Sequence, residues 1–227
     1  MISTALHRLL TDRAYRAAFL EGRHAELGLS QEDLKDLSTI DPDQLREAAT
    51  TFRDDLLRRQ HRGTGSLRTL YRETLEHLDP AEVISCFMES SHYDAYRETL
   101  HAGIGLCLEE AFYRFCEADG IGESTVRERE YLTAIARALL FSPRPGFRLP
   151  REFHWVPGGF VAVATHGESP VLCAAVRGRL LTGPLTQLLA DLLAPGAVAQ
   201  EVGSRHGVSA EALAAAQGRL QEMGLAY

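Results

Sequence analysis

The sequence predicts an α+β fold: an N-terminal all-helical domain (residues 1–142), a linker (143–152) and a C-terminal winged helix-turn-helix (153–227). Three observations favour this organisation. Up to residue 142 the apolar residues recur at helical spacing, and three short β-like runs follow. Three helical segments complete the chain, and the short link Gly207-Val208-Ser209 joins the last two, as in a helix-turn-helix. The expected C-terminal module is therefore a three-stranded sheet with three helices.

Capping residues and breaks divide the N-terminal part into helices. The first helix is expected to reach His24, and the pattern from 83 to 116 is helical with interruptions at Gly103 and Gly105. The segment 142–146 contains two prolines and a glycine, which predicts the domain boundary. Polar caps, two of them followed by proline at the first helical position, mark the other expected helix starts. These starts are Ser30, Asp41-Pro42, Ser66 and Asp79-Pro80, and the last helix of this half is expected from about Ser124.

The C-terminal part shows strand and then helix periodicity. The predicted strands are 153–156, 160–165 and 171–176, and Pro157-Gly158-Gly159 provides a tight turn between the first two. The predicted helices are 185–193, 198–206 and 209–223. Gly207 is expected to end the second of these helices and Ser209 to cap the third. In the third strand both alternating sets of side chains are apolar, so neither face of that strand is expected to be strongly polar.

The composition is that of a globular chain with an acidic balance. Of its 227 residues 45% are hydrophobic, and 24 basic against 31 acidic residues give a formal net charge of −7. DNA-binding domains tend to be basic, so this balance disfavours a nucleic-acid partner. No stretch reaches the roughly 20 apolar residues of a membrane span, and the first residues do not form a signal peptide. We expect a cytoplasmic protein with no membrane partner, whose four cysteines are small buried hydrophobes.

Both halves of the chain carry a family resemblance. Residues 9–20, LLTDRAYRAAFL, followed by Leu27-Gly28-Leu29, resemble a helical opening of bacterial accessory proteins that serve pathways to ribosomally synthesised, post-translationally modified peptides. The C-terminal half resembles the RiPP recognition element, a PqqD-like winged-helix module that binds leader peptides. Together the halves resemble the partner subunit of multinuclear non-haem iron oxidative enzymes of the DUF692 family, as in the 3-thiaglutamate pathway.

This resemblance implies a non-catalytic subunit. The chain would bind the leader of a precursor peptide and present its core, where a cysteine is modified, to a DUF692-type iron-dependent TIM-barrel oxidase in a heterodimer. The iron would lie in the partner enzyme, so no cofactor, catalytic residue or metal ligand is expected in this chain. The helical domain would supply the docking surface for the oxidase.

The resemblance also implies where the leader binds. It would pair as a strand antiparallel to the third predicted strand, beside the last helix, where open-edge backbone groups need partners. Arg177, Arg179 and Arg219 would hold acidic leader residues. The alternative for the apolar residues of this set is that they form the core of the module. The expected peptide-binding residues are Val171, Leu172, Cys173, Ala174, Ala175, Val176, Arg177, Leu213, Ala216, Arg219, Leu220 and Met223.

Two other functions remain open at the level of sequence. A winged-helix transcriptional regulator is one, although the expected recognition helix lacks base-reading donors in its first turns. A stand-alone helical di-iron enzyme is the other, since two Glu-x-x-His tetrads resemble the ligand sets of di-iron bundles. The tetrads start nine residues apart, so on one continuous helix they would point to opposite sides. Their ligand-type residues are Glu89, His92, Glu98 and His101.

Overall fold

The structure, a computed structural model, describes residues 2–58, 66–102, 107–141, 149–165, 167 and 169–226. Its described part is a mixed α+β fold in which helices precede and follow one antiparallel sheet. The helices before the sheet are α1 (Ile2–Thr11), α2 (Arg13–Leu20), α3 (Gln31–Leu37), α4 (Pro42–Arg58), α5 (Leu67–Leu70), α6 (Pro80–Met88), α7 (Ser91–Ala102), α8 (Leu108–Ala118) and α9 (Ser124–Phe141), with a short 3₁₀ turn at His24–Leu27.

The predicted caps are confirmed by hydrogen bonds. The Ser30 side chain accepts the backbone N–H of Asp33, and Ser66 accepts that of Thr69. Asp79 accepts the N–H of Ala81 ahead of α6, which begins with Pro80. Such caps satisfy N–H groups that have no partner within the helix, which is why these polar residues fix the helix starts.

Two predicted helices are shorter in the structure than the periodicity suggests. The first expected helix is divided at Asp12, whose carboxylate caps α2 by accepting the Tyr15 N–H. The 83–116 stretch is divided between α6 and α7, where the Ser90 hydroxyl accepts the Tyr93 N–H. In both cases a polar side chain inside the apolar pattern competes for backbone groups and starts a new helix. The predicted interruptions at Gly103 and Gly105 lie outside the described residues.

The sheet has four strands, and the expectation of three is wrong. The strands are β1 (His154–Val156), β2 (Gly159–Ala164), β3 (Val171–Val176) and β4 (Arg179–Pro184), in that spatial order and all antiparallel. The unpredicted β4 follows β3 through the two-residue turn Arg177-Gly178, where φ is 49° and 71°. Positive φ at both turn residues is the type I′ geometry that matches the twist of a hairpin.

Both faces of the sheet are covered. Alternate residues Cys173 and Ala175 of β3 belong to the core formed with α9, whereas Leu172 and Val176 belong to a second core with the C-terminal helices. This explains why neither face of β3 is polar in the sequence. The first core continues from α5–α9 into the sheet, across the predicted domain boundary. Residues 143–148 of the predicted linker lie outside the described residues, so the division into domains stays a prediction.

Three helices follow the sheet, close to their predicted positions. They are α10 (Gln187–Leu193), α11 (Ala199–Arg205) and α12 (Ala210–Met223). Ser209 caps α12 through the Ala212 N–H, and Gly224 ends it with φ of 78°. Asp191 of α10 accepts a hydrogen bond from the His206 ring at 2.9 Å, which ties α10 to the end of α11. Among the described residues no helix combines the length and apolarity needed to cross a membrane.

Candidate functional site

The third strand is interior, so it is not the edge that a guest strand can join. Its register pairs Ala174 with Val161 of β2 on one side and with Leu181 of β4 on the other. Residues Leu172 to Val176 are all buried, between 0% and 6% exposed. The expectation that β3 receives a leader peptide is therefore wrong, because the chain's own β4 already occupies that position.

The other predicted peptide-binding residues do not converge on one surface. Ala216 and Leu220 of α12 are buried, and Leu220 packs in the same core as Leu172 and Val176. Leu213 is half-buried, whereas Arg219 is exposed and Met223 is 37% exposed. Val171 lies at the start of β3, opposite Pro184.

Two of the predicted residues have structural roles instead. Arg177 forms the β3–β4 turn, and its guanidinium donates a hydrogen bond to the Glu222 carbonyl at 2.9 Å, so it holds the end of α12. The buried Cys173 thiol lies 3.7 Å from the Thr133 hydroxyl, and burial raises its pKa to about 11. A thiol in this state is a poor nucleophile at neutral pH.

The free edge of the sheet on this side is β4. Because Arg177-Gly178 is a two-residue turn, Val176 and Arg179 exchange backbone hydrogen bonds, and the pattern alternates from there. The N–H and C=O groups of Leu180 and Thr182 therefore point away from β3. Pro184 falls at the next outward position, where its missing N–H costs no hydrogen bond within the sheet. Among the described residues no other backbone group pairs with this side of β4.

The two faces beside this edge differ in character. Leu180 packs towards the α9 core, while Leu181 packs towards the core beneath the C-terminal helices. On the C-terminal side, the partly buried Leu181, Leu185 and Leu189 leave apolar surface near the edge. On the other side lies an open cleft of about 540 Å³. The cleft is lined by Thr69, Leu70, Arg72, Glu73, Arg129, Glu130, Thr133, Ala134, Arg137, Val171, Thr182, Gly183 and Pro184.

Both carboxylates of the cleft already have partners. Glu130 accepts the backbone N–H groups of Glu73 and Thr74 at 2.8 and 2.9 Å. Glu73 forms an ion pair with Arg129. Arg72 and Arg137 have no hydrogen-bond or ion-pair partner among the described residues. Within the described part of the chain, the cleft therefore presents two guanidinium groups that are available to an anion.

The opposite edge, β1, is short and apolar. Its Trp155 is 72% exposed and its ring lies 4.2 Å from that of Phe160. A second groove, of about 300 Å³, runs beside β1 and is lined in part by Leu192, Pro195 and Leu225. His154 borders this groove, and its desolvation lowers the pKa of the imidazole.

The di-iron hypothesis gains no support from the first Glu-x-x-His tetrad. Glu89 is exposed at the end of α6, whereas His92 lies on α7, where its ring contacts Phe115. The two residues therefore do not share one helix face, as the ligand motif requires. The side chains of Glu98 and His101 lie outside the described residues. Among the described residues no cluster of three ligand-type side chains occurs.

The last helix presents an acidic and small-residue surface at its start. Exposed residues in the first turns of α12 are Glu211, Ala212 and Ala214. These side chains offer no donor to base edges or phosphates, which a DNA-reading helix needs at its N-terminal end. The expected weakness of the regulator hypothesis therefore persists in the folded chain.

Of the missed features of this site, the β4 strand had a signal in the sequence, whereas the arginine pair of the cleft had none. The Arg177-Gly178 pair follows an apolar strand and precedes Leu180-Leu181-Thr182, which is the signature of a tight hairpin. By contrast, no local pattern links Arg72 and Arg137, since they are 65 positions apart and meet only through packing of α5 against α9.

Comparison with known proteins assigns no family. No protein-family model matches the chain, and neither a curated protein nor a solved structure is significantly similar to it.

Proposed function

We propose that this chain is a non-catalytic, cytoplasmic subunit that binds the leader of a ribosomally made precursor peptide through strand addition to β4. The C-terminal module acts as a winged-helix recognition element of the PqqD-like type. The observation that supports this most directly is the free backbone of Leu180 and Thr182 on a six-residue edge strand. Strand addition uses such groups for affinity and the flanking surfaces for specificity.

The site fits a peptide better than a small substrate. The cleft and the leucine surface lie on opposite faces of the same strand, and an extended peptide sends alternate side chains to opposite faces. One guest strand therefore contacts both surfaces at once.

The partner in this proposal is a DUF692-type iron-dependent oxidase, which modifies a cysteine of the core to give a 3-thiaglutamate-type product. The iron is held by the oxidase, and the chain described here raises the local concentration of the core at the active site. Tethering of this kind reaches the millimolar range for short flexible connections.

The edge model is tested with fluorescein-labelled synthetic peptides that tile the short reading frames next to the gene. Thr182→Pro removes one outward N–H while keeping the bonds between β3 and β4, so we expect binding of the recognised peptide to weaken at least about tenfold. Thr182→Ala keeps the N–H and is the matched control. In hydrogen exchange, the bound peptide should protect the amides of Leu180 and Thr182. Equal affinity of Thr182→Pro and the unsubstituted chain, without such protection, would contradict the model.

The subunit role needs a second experiment. The chain, a precursor that carries the recognised peptide and a DUF692-type oxidase are produced together and separately, and the mass of the precursor is measured. We expect the modified mass only when all three are present, and a sharp drop with Thr182→Pro. Modification of the precursor by this chain without the oxidase would refute the non-catalytic role.

A further inference from the structure

The helical half of the molecule contributes directly to the β4 site. The arginines of the cleft come from the α5 region and from α9, and the end of β4 lines the other side of the cleft. A ligand on β4 therefore meets side chains that lie more than forty positions earlier in the sequence. The helical half is more than a surface for the partner enzyme.

We propose that this cleft selects an aspartate or glutamate of the guest strand, at the position paired with Thr182. The inference rests on the proposed function, since it names which peptide the β4 edge accepts. The Thr182 side chain lies on the same face as Leu180, which packs towards α9, because residues two apart on a strand share a face. Directly paired residues of neighbouring strands also share a face. The guest residue opposite Thr182 therefore points towards the cleft.

The charges of the cleft indicate that the guest residue opposite Thr182 is negatively charged. Three arginines against two glutamates leave a net positive charge, and both glutamates are engaged within the protein. Arg137 is half-buried, so its interaction with an anion is less screened than that of a fully exposed side chain. A guanidinium binds a carboxylate with two parallel hydrogen bonds, which gives direction as well as affinity.

The guest residues on either side of the acidic residue face the other side of the sheet. They point towards Leu181 and the surface that it shares with Leu185 and Leu189. The recognised sequence therefore has an acidic residue flanked on both sides by apolar residues.

The test uses a phage-displayed library of random twelve-residue peptides, selected against the full-length chain and, in parallel, against Arg72→Gln/Arg137→Gln. Arg68→Gln, an exposed position of α5 outside the cleft, is the matched control. Individual selected peptides are then synthesised, and their affinity is measured at low and high salt. We expect an acidic residue between apolar residues in the peptides selected by the unsubstituted chain. We expect about tenfold weaker binding of these peptides to the double variant.

The outcomes separate this inference from the proposed function. Peptides whose binding depends on Thr182 but that show no acidic preference, or whose acidic preference survives in the double variant, overturn the inference alone. Failure to obtain any peptide whose binding is weakened by Thr182→Pro overturns the inference together with the edge model. Loss of the acidic preference in the double variant, with the apolar preference and the Arg68→Gln affinity retained, supports the inference.

Discussion

The two edges of the sheet differ in length and in what surrounds them. The β4 edge has six residues, with an arginine-lined cleft on one face and leucines on the other. The β1 edge has three residues and lies beside a smaller groove of about 300 Å³. A short edge offers few backbone groups to another chain and is one of the ways in which proteins avoid unwanted pairing. Of the two edges, β4 is therefore better suited to bind a specific peptide, because it is longer and has arginine side chains beside it.

The largest expected effect comes from substitution of Gly159, which lies inside the sheet at the start of β2. A Cβ at Gly159 would lie 2.1 Å from the Ala175 carbonyl oxygen, and φ there is +152°. We expect Gly159→Ala to destabilise the fold by about 3 kcal/mol or more, because the clash is with backbone and the conformation is strained. Thermal and urea unfolding measure the change.

Gly183 on β4 is the matched control for that substitution. A Cβ there meets nothing within 4 Å, so we expect Gly183→Ala to change stability by less than about 1 kcal/mol. Similar losses in the two variants would show that the face of β4 at Gly183 is packed as closely as the sheet at Gly159, contrary to the open space beside Gly183.

The next prediction, of intermediate size, tests whether the peptide binds at β4 or at β1. Trp155 on β1 is the single tryptophan of the chain, so its emission reports on that edge alone. We expect a peptide bound at β4 to leave the emission maximum unchanged, and Trp155→Ala to alter peptide affinity by less than about twofold. A blue shift on binding, together with a large loss of affinity in Trp155→Ala, would place the guest on β1 instead.

The smallest expected effect is a pH dependence at β1. Desolvation lowers the pKa of His154 in the folded chain, so the unfolded chain takes up its proton at higher pH. The stability associated with neutral His154 is complete above its unfolded pKa of about 6.5 and is lost as the pH falls through the lower folded value. We expect His154→Gln to lose less stability than the unsubstituted chain between pH 7.5 and pH 5.

The exposed His77 is the matched control for this measurement. His77→Gln should follow the unsubstituted chain across the same pH range. A His154→Gln variant with an unaltered pH dependence would mean that the imidazole is solvated in the folded chain.

The local elements were largely predictable, whereas the site was not. Ser30, Ser66, Asp79 and Ser209 act over three residues or fewer, so the sequence shows both the cap and the helix that it starts. The fourth strand was missed because Arg179–Pro184 combines two leucines with a glycine and a proline, a weak strand pattern. Its extended form is stabilised by backbone pairing with β3, which no side-chain pattern records.

The role of α12 shows the same limit. Helical spacing correctly grouped Ala216 and Leu220 on one face, but that face packs into the core beside Leu172 instead of lining a peptide groove. Periodicity identifies an apolar face and does not identify what covers it.

The sequence by itself determined the α+β class, three of the four strands, the three helices after the sheet and most of the places where helices begin. These features depend on interactions between residues a few positions apart. Only the tertiary structure decided which strand is an edge and which arginines stand beside it. That decision depends on backbone pairing, on the packing of α5 against α9 and on the packing of α9 against the sheet, which join residues far apart in the chain.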